Sequence, residues 1–271
     1  MSIPKNVYHY TTRDIALEKI LFDKKIRLDS QGLTNDPRET KTWGFLIMNP
    51  PRQGSELDNL REAFDIINTA NSIRLKEWWV LCMTINDLDL VLPKPNQPDV
   101  THFKYGYARP RMWAQYSDNH TGVCLEFDGS ALDKAISTSI NSNDSVFHGV
   151  VDYADEWDGP SRSNYQRAFQ VEYESLGIDI FNGMRKHIRE NHKHFFLRKS
   201  TDWKSEREFR WLVHSKSGPF LVDISDALKS VIVGVNFPKV YKPAIESLCN
   251  DSKIKLERMN WIDRVPIKDL W

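Results

Sequence analysis

Residues 203–213 read Trp203-Lys204-Ser205-Glu206-Arg207-Glu208-Phe209-Arg210-Trp211-Leu212-Val213. The last three residues of this run are strong β-strand formers. Glu206, Glu208 and Arg210 recur at every second position, so a strand through the run would place all three charges on one face of a sheet. Two carboxylates held by an arginine are costly to bury, and we therefore interpret the run as one wall of a functional cleft. The alternative is an edge strand with a solvated charged face, which discourages aggregation.

The composition of the 271-residue chain is that of a globular protein without an excess of charge. Hydrophobic residues make up 40%, and 37 basic residues balance 37 acidic ones. This balance argues against broad electrostatic attraction to nucleic acid or to an anionic membrane. No apolar run reaches the roughly 20 residues needed to span a bilayer, and the N-terminus lacks the apolar core of a signal peptide. Three scattered cysteines fit a reducing compartment, and we expect a cytoplasmic protein.

The alternation of apolar and polar residues predicts one mixed α+β domain over residues 1–271. Helices are predicted after Thr11 or Thr12, over 55–78, and over 243–248, and a predominantly helical insertion is predicted at about 160–199 with a break near Gly177. Besides the charged run, strands are predicted at 7–10, 24–28, 80–85, 122–127, 145–153, 220–222, 231–235 and 253–259. The proline-rich stretch 92–98 predicts a stiff loop flanking an active site.

Two further places carry candidate binding residues. His9 lies on the first predicted strand between two tyrosines, where it either donates a hydrogen bond to a ligand hydroxyl or is satisfied by backbone. Trp113 and Tyr116 are three residues apart and share a face of a helical turn. They can stack on a flat ring, or they can be core aromatics without a ligand.

The sequence offers little support for a metal site or for a catalytic nucleophile. His187, Glu190 and His194 fall on one side of a predicted helix, but the many flanking charges favour a solvated face, and we expect no metal. The chain has no glycine-rich phosphate loop and no nucleophile elbow. A nuclease is disfavoured by the same absence of a metal cluster and by the neutral composition.

Five motifs, in order, resemble the family catalogued as domain of unknown function 2971. They are Tyr8-His9-Tyr10-Thr11, Asn35-Asp36-Pro37 with Glu39, Met112-Trp113 with Tyr116, Gly122-Val123-Cys124-Leu125-Glu126-Phe127, and Lys199 and Trp203 with Glu206-Arg207-Glu208-Phe209-Arg210. The likeness covers roughly residues 7–235. The family is mostly bacterial and occurs in phage-defence and mobile-element contexts. The resemblance therefore implies a defence or toxin-type effector, but it states no activity.

The chain is also similar, at fewer positions, to the ADP-ribosyltransferase superfamily. The likeness consists of a histidine on the first strand, an aromatic-bearing middle segment and a late Glu-x-Glu strand. It implies a split central sheet around NAD, with His9 at the first-strand position, Glu208 as the catalytic glutamate and Glu206 on the acceptor side. The superfamily's Ser-Thr-Ser run is absent, and Tyr116 or Tyr10 would take its place.

This second resemblance implies an NAD-dependent ADP-ribosyltransferase or NAD glycohydrolase, with NAD as substrate. Cleavage of the nicotinamide–ribose bond creates an oxocarbenium-like centre, which Glu208 would stabilise while accepting a ribose hydroxyl proton. His9 would hydrogen-bond the ribose, and Arg210 would keep the glutamate ionised. Trp113, Tyr116 or Tyr10 would pack on the nicotinamide ring.

The remaining roles concern the acceptor. Glu206 would orient or deprotonate a nucleophile, which is an unknown macromolecule, a small molecule or water. The alternative to an enzyme is a non-catalytic domain in which the same cleft senses a nucleotide or binds a partner.

Overall fold

The computed structural model describes residues 2–50, 55–87, 101–155, 168–250 and 254–271. Within these ranges, ten strands form one large mixed sheet, and two pairs of short strands form two-stranded sheets. The strands are β1 Asn6–Thr11, β2 Lys25–Ser30, β3 Leu46–Met48, β4 Trp78–Ile85, β5 Val123–Asp128, β6 Ser145–Val150, β7 Asp152–Tyr153, β8 Gln170–Glu172, β9 Arg198–Lys199, β10 Glu208–His214, β11 Phe220–Asp223, β12 Leu228–Val233, β13 Lys255–Ile262 and β14 Val265–Leu270.

Helices cover both faces of the large sheet. They are α1 (Arg13–Ile15, continued by a π-helical turn Ala16–Ile20 and by Leu21–Asp23), α2 Pro37–Thr40, α3 Glu56–Lys76, α4 Pro110–Tyr116, α5 Gly129–Ser139, α6 Tyr173–Leu176, α7 Ile180–Glu190, α8 His192–Phe196 and α9 Lys242–Asn250. Short 3-10 segments occupy Gln31–Leu33, Thr101–Lys104, Thr201–Glu206 and Lys239–Tyr241. None of the helices described is long and apolar enough to cross a bilayer.

The large sheet divides at β4. One edge of β4 pairs along its whole length with β10, which pairs with β6 on its other side. The opposite edge is shared, because β2 pairs with Trp79 and Val80 whereas β1 pairs with Thr84 and Ile85. From β1 the sheet continues through β5, β12, β13 and β14, and from β2 it continues to β11. The mixed sheet predicted from the sequence is therefore confirmed, and β1 and β2 leave a gap beside residues 81–83.

The hydrophobic core lies on both faces of this sheet. On one face Phe209, Trp211 and Val213 of β10 pack with residues of α1, α5 and α9. On the other face Leu212 packs with Trp78 under α3, α7 and α8, so the helical insertion covers this side. A smaller aromatic cluster under α4 completes that second face.

The structure of the charged run, residues 203–213, differs in part from the prediction. The strand begins at Glu208, and Glu206 instead ends a 3-10 segment, because Arg207 between them adopts a left-handed conformation with φ 47°. The interpretation as a solvated edge strand is wrong, because β10 has a paired strand on each side and Glu208 and Arg210 are buried.

Helix α3 begins as predicted but buries a different side. Ser55 caps it, and a reciprocal bond to Asp58 completes a capping box. The apolar residues Leu57, Leu60 and Phe64 in its first half are exposed, and burial begins only at Ile66.

Helix α5 and strands β3, β8, β9 and β14 have no counterpart in the sequence-based prediction, and β8 and β9 fall within the segment expected to be predominantly helical. In the insertion, α6 ends before Gly177, whose φ of +67° explains the predicted break. The loop predicted at 92–98 and the start of the insertion, up to residue 167, lie outside the described residues.

Candidate functional site

A cavity of about 420 Å³ lies where β1 and β2 diverge from β4. This volume falls within the range of small-molecule sites, roughly 300–1,000 Å³. Residues from β1, β2, β4 and β10 line it, together with side chains from α4 and from the segment before β10. Six of the seven residues singled out in the sequence line this one cavity: His9, Tyr10, Tyr116, Glu206, Glu208 and Arg210.

A buried carboxylate lies on the cavity wall between two cations. Oε2 of Glu208 is 3.0 Å from Nζ of Lys199 and accepts a hydrogen bond of 2.9 Å from Nη2 of Arg210. The three side chains are at most 6% exposed. Both cations contact the same oxygen, so they hold the carboxylate from one side.

Arg210 is itself held by a second acid. Its guanidinium forms an ion pair with both oxygens of Glu39, and Nη1 also donates to the carbonyl of Phe196 at 2.7 Å. Glu39 reaches this position because Asp36 caps α2, accepting a hydrogen bond from the backbone of Arg38, with Pro37 in the first turn. The Asn-Asp-Pro turn therefore orients the side chain of Glu39 toward Arg210 in the sheet.

Glu206 extends the ion-pair network toward α4. Its Oε2 accepts a hydrogen bond of 2.8 Å from Lys199, and its Oε1 accepts one of 2.6 Å from the hydroxyl of Tyr116. The network thus alternates in sign from Glu39 through Arg210, Glu208 and Lys199 to Glu206. Although Glu206 is not on the strand, the turn at Arg207 returns its side chain to the same site.

The network determines the protonation of its members. Burial alone would raise the pKa of Glu208, but Arg210 and Lys199 outweigh it and hold the pKa at about 2. Burial lowers the pKa of Lys199, yet the carboxylates, Glu208 foremost, raise it well above its ordinary value. The pKa of Tyr116 is raised by burial and by the charge of Glu206. At neutral pH the site therefore contains an ionised acid, a charged lysine and a neutral phenol.

His9 reaches the cavity from a different direction than Glu208. Tyr8 pairs with Thr84, which pairs with Glu208, so these three side chains share a face and His9, the next residue, points to the other. Its ring lies in the gap beside β4, with Nδ1 3.4 Å from the carbonyl of Cys82. Burial lowers the pKa of His9, so the ring is neutral at pH 7. His9 and Glu208, two of the three predicted catalytic residues, line one cavity from opposite faces of the divided sheet.

Tyr10 on β1 and Trp113 on α4, two of the aromatic residues predicted to bind the nicotinamide ring, differ in role. Trp113 is fully buried and does not line the cavity; its indole donates to the carbonyl of Tyr107 at 2.7 Å. It packs edge-on against Tyr10 with ring centroids 5.2 Å apart. Tyr10 does line the cavity, while its hydroxyl donates to the carbonyl of Gly106 at 2.6 Å. Trp113 therefore supports the cavity wall, which corrects its predicted place as a ligand contact.

The histidines of the helical insertion lie elsewhere. The ring of His187 contacts the carbonyl of Ala168 at 2.8 Å. Over the described ranges, no group of three or more histidine, cysteine or acidic side chains is arranged to hold a metal ion.

The comparisons with known proteins match a segment of the chain that contributes several residues to the cavity. Residues 112–211 match the family model described as "Protein of unknown function (DUF2971)". The matched segment carries Tyr116, Lys199 and the acids of the charged run, whereas His9 and Glu39 lie outside it. No curated protein and no solved structure matches the chain. The similarity to ADP-ribosyltransferases has no counterpart in these comparisons and stays a prediction.

Sequence reasoning gave no role to two residues that are central here. Lys199 and Glu39 stand among the residues quoted for the resemblance to domain of unknown function 2971, but only the fold shows that one neutralises two acids and the other holds Arg210. On the predicted strand face, Glu206 and Glu208 share a single arginine, Arg210, and this excess of acid over base on one face was the signal that a further cation had to lie nearby.

Proposed function

We propose that the protein is an NAD-consuming enzyme, an ADP-ribosyltransferase or NAD glycohydrolase, and that NAD binds in the cavity between β1 and β2. The observation that carries the proposal is the ionised, almost fully buried Glu208 on the wall of this cavity. A preorganised carboxylate in a site shielded from water stabilises a developing cation far more than a solvated one does.

In the proposed reaction, the bond between the ribose and nicotinamide breaks, and its electron pair leaves with the nicotinamide. The positive charge that develops on the ribose is stabilised by Glu208, which also accepts a hydrogen bond from a ribose hydroxyl. Arg210 and Lys199 keep this acid ionised and fixed in position. Tyr10 and Tyr116 present aromatic rings for the leaving group, and His9 is a neutral hydrogen-bonding partner.

Glu206 is assigned the acceptor side. It lines the same cavity and is paired with Lys199, so it can accept a proton or a hydrogen bond from the attacking nucleophile. Water as the nucleophile would give a glycohydrolase, and a side chain or base would give a transferase.

The test is the release of nicotinamide from NAD by the wild-type protein, Glu208→Gln and Glu190→Gln. Glu190 is an exposed glutamate at the end of α7 and serves as the matched control. We expect release by the wild type and by the control, and a loss of about 10²–10³-fold in Glu208→Gln. Release at equal rates in all three proteins, or in none, would contradict the proposal.

One observation favours a second candidate, a domain that binds a nucleotide without cleaving it. The charge of Glu208 is offset by two cations at hydrogen-bonding distance, which also suits a purely structural network. This candidate predicts that NAD raises the melting temperature of the wild type while no nicotinamide appears.

A further inference from the structure

The cavity wall contains a buried hydroxyl group that has no hydrogen-bond partner among the residues that the structure describes. Thr84 on β4 is 2% exposed and lines the cavity, yet its Oγ1 makes no hydrogen bond to any side chain or backbone group of the described ranges. Buried polar groups are almost always hydrogen-bonded, and an exception is costly. Because Thr84 lines the cavity, rotation about χ1 can turn this unused hydroxyl toward a ligand there.

The position of Thr84 in the sheet places it beside the proposed catalytic acid. In the register of the sheet, Thr84 pairs with Tyr8 of β1 on one side and with Glu208 of β10 on the other. Directly opposite side chains of antiparallel strands lie about 4.5–5.5 Å apart at Cβ, on the same face. A ligand group between them meets a hydroxyl, which can donate or accept, and a carboxylate, which only accepts.

A second unpartnered group lies in the next row. Nε of Arg210 is buried, belongs to a residue that lines the cavity, and makes no hydrogen bond within the parts of the chain that the structure covers. In the register, Arg210 pairs with Cys82, two residues before Thr84. The wall thus offers an acceptor in Glu208 and, in Thr84, a group able to donate or accept, which together complement neighbouring hydroxyl groups on a sugar ring.

We infer that Thr84 is a specificity-determining residue that binds a hydroxyl group of a pentose in this cavity. The inference rests on the proposed function, in which that pentose is the ribose joined to nicotinamide. A site built to hydrogen-bond a hydroxyl strongly rejects the analogue that lacks it, because the protein groups are then left unpaired. Thr84 therefore selects ribose over deoxyribose.

The test compares the wild type with Thr84→Val, which keeps the shape but lacks the hydroxyl, and with Thr84→Ser, which keeps the hydroxyl. Ser230→Ala is the matched control, because it removes a buried hydroxyl that is bonded to Glu126 and does not line the cavity. Dissociation constants are measured for NAD, for ADP-ribose, and for NAD analogues lacking the 2′- or the 3′-hydroxyl of the nicotinamide ribose.

We expect Thr84→Val to bind NAD and ADP-ribose about tenfold more weakly, and Thr84→Ser and Ser230→Ala to bind them as the wild type does. One of the two deoxy analogues should bind the wild type about tenfold more weakly than NAD, and Thr84→Val should not distinguish it from NAD. The melting temperature of free Thr84→Val should be no more than about 2 °C below that of the wild type, because no protein hydrogen bond is lost.

The inference is overturned if Thr84→Val binds these ligands as tightly as the wild type, if neither deoxy analogue couples to residue 84, or if Thr84→Val melts well below the wild type. Nicotinamide release with unchanged kinetics in Thr84→Val would overturn the inference and leave the proposed function intact. Binding of ADP-ribose that depends on Thr84, without nicotinamide release, would uphold the inference and overturn the proposed function. A wild type that binds none of the ligands would overturn both.

Discussion

Nζ of Lys199 lies 3.0 Å from Oε2 of Glu208, and both side chains are almost fully buried. The pair joins the end of the helical insertion to the central strand β10. Lys199 and Glu208 are nine residues apart in the chain but lie on different elements. Because the same lysine also bonds Glu206 at 2.8 Å, it is the cation that allows two acids to be buried together. The integrity of the site depends on this contact.

Lys199→Met should raise the pKa of Glu208, because a cation is removed and the neighbouring Glu206 remains. A higher pKa means that the carboxylate is lost at a higher pH. In the pH profile of nicotinamide release, the acidic limb should therefore move upward relative to the wild type. Lys204→Met, at an exposed position nearby, is the control and should leave the profile unchanged. An unmoved acidic limb in an active Lys199→Met protein would show that this lysine does not act on the acid.

Glu39→Gln should destabilise the protein by about 3 kcal/mol, because it leaves the buried guanidinium of Arg210 with one acid fewer. The measurement is the free energy of unfolding from urea titrations. Glu246→Gln, which removes an exposed helical ion pair with Lys242, should cost no more than about 0.5 kcal/mol. Equal effects of the two substitutions would mean that the buried network adds nothing to stability.

Acid should destabilise the fold through Glu208. Its pKa is about 2 in the folded protein and near the ordinary 4.5 when unfolded. Between these values the unfolded chain binds more protons, so this contribution to stability is complete above about pH 4.5 and falls as the pH drops toward 2. Urea unfolding at a series of pH values should show this decline, and Glu208→Gln should make it shallower. A variant with the same slope as the wild type would refute the depressed pKa.

Two substitutions distinguish the contribution of the Tyr116 hydroxyl from that of its ring. Tyr116→Phe removes the 2.6 Å hydrogen bond to Glu206 and should lower stability by about 1.5 kcal/mol, while the KM for NAD stays near that of the wild type. Tyr116→Ala also removes the ring and should raise the KM about tenfold, as expected for a lost stacking contact. If both variants have the same KM, the ring does not contact the nicotinamide.

Much of the secondary structure follows from local patterns. Strands β4 and β10 were predicted from their β-branched and aromatic runs, and the start of α3 at residue 55 was predicted as well. The break between Glu206 and Glu208 was not, because a left-handed arginine is an unusual conformation that only the surrounding structure imposes.

The site was only partly predictable for a related reason. His9, Tyr116 and Glu208 carry recognisable chemistry, and the structure brings them to one cavity. Ion pairs between distant parts of the chain, such as Arg210 with Glu39, leave no periodic signal, since nothing in the sequence reports contacts across 171 residues. That Thr84 has no hydrogen-bond partner within the described part of the chain is likewise a property of the packed sheet alone.

The most direct measurement is a crystal structure of the wild-type protein with an NAD analogue whose nicotinamide–ribose bond cannot be cleaved. We expect the ribose between β1 and β2, with a hydroxyl about 2.6–3.2 Å from the carboxylate of Glu208. An analogue bound elsewhere, or a cavity without it at a saturating concentration, would contradict the proposed function.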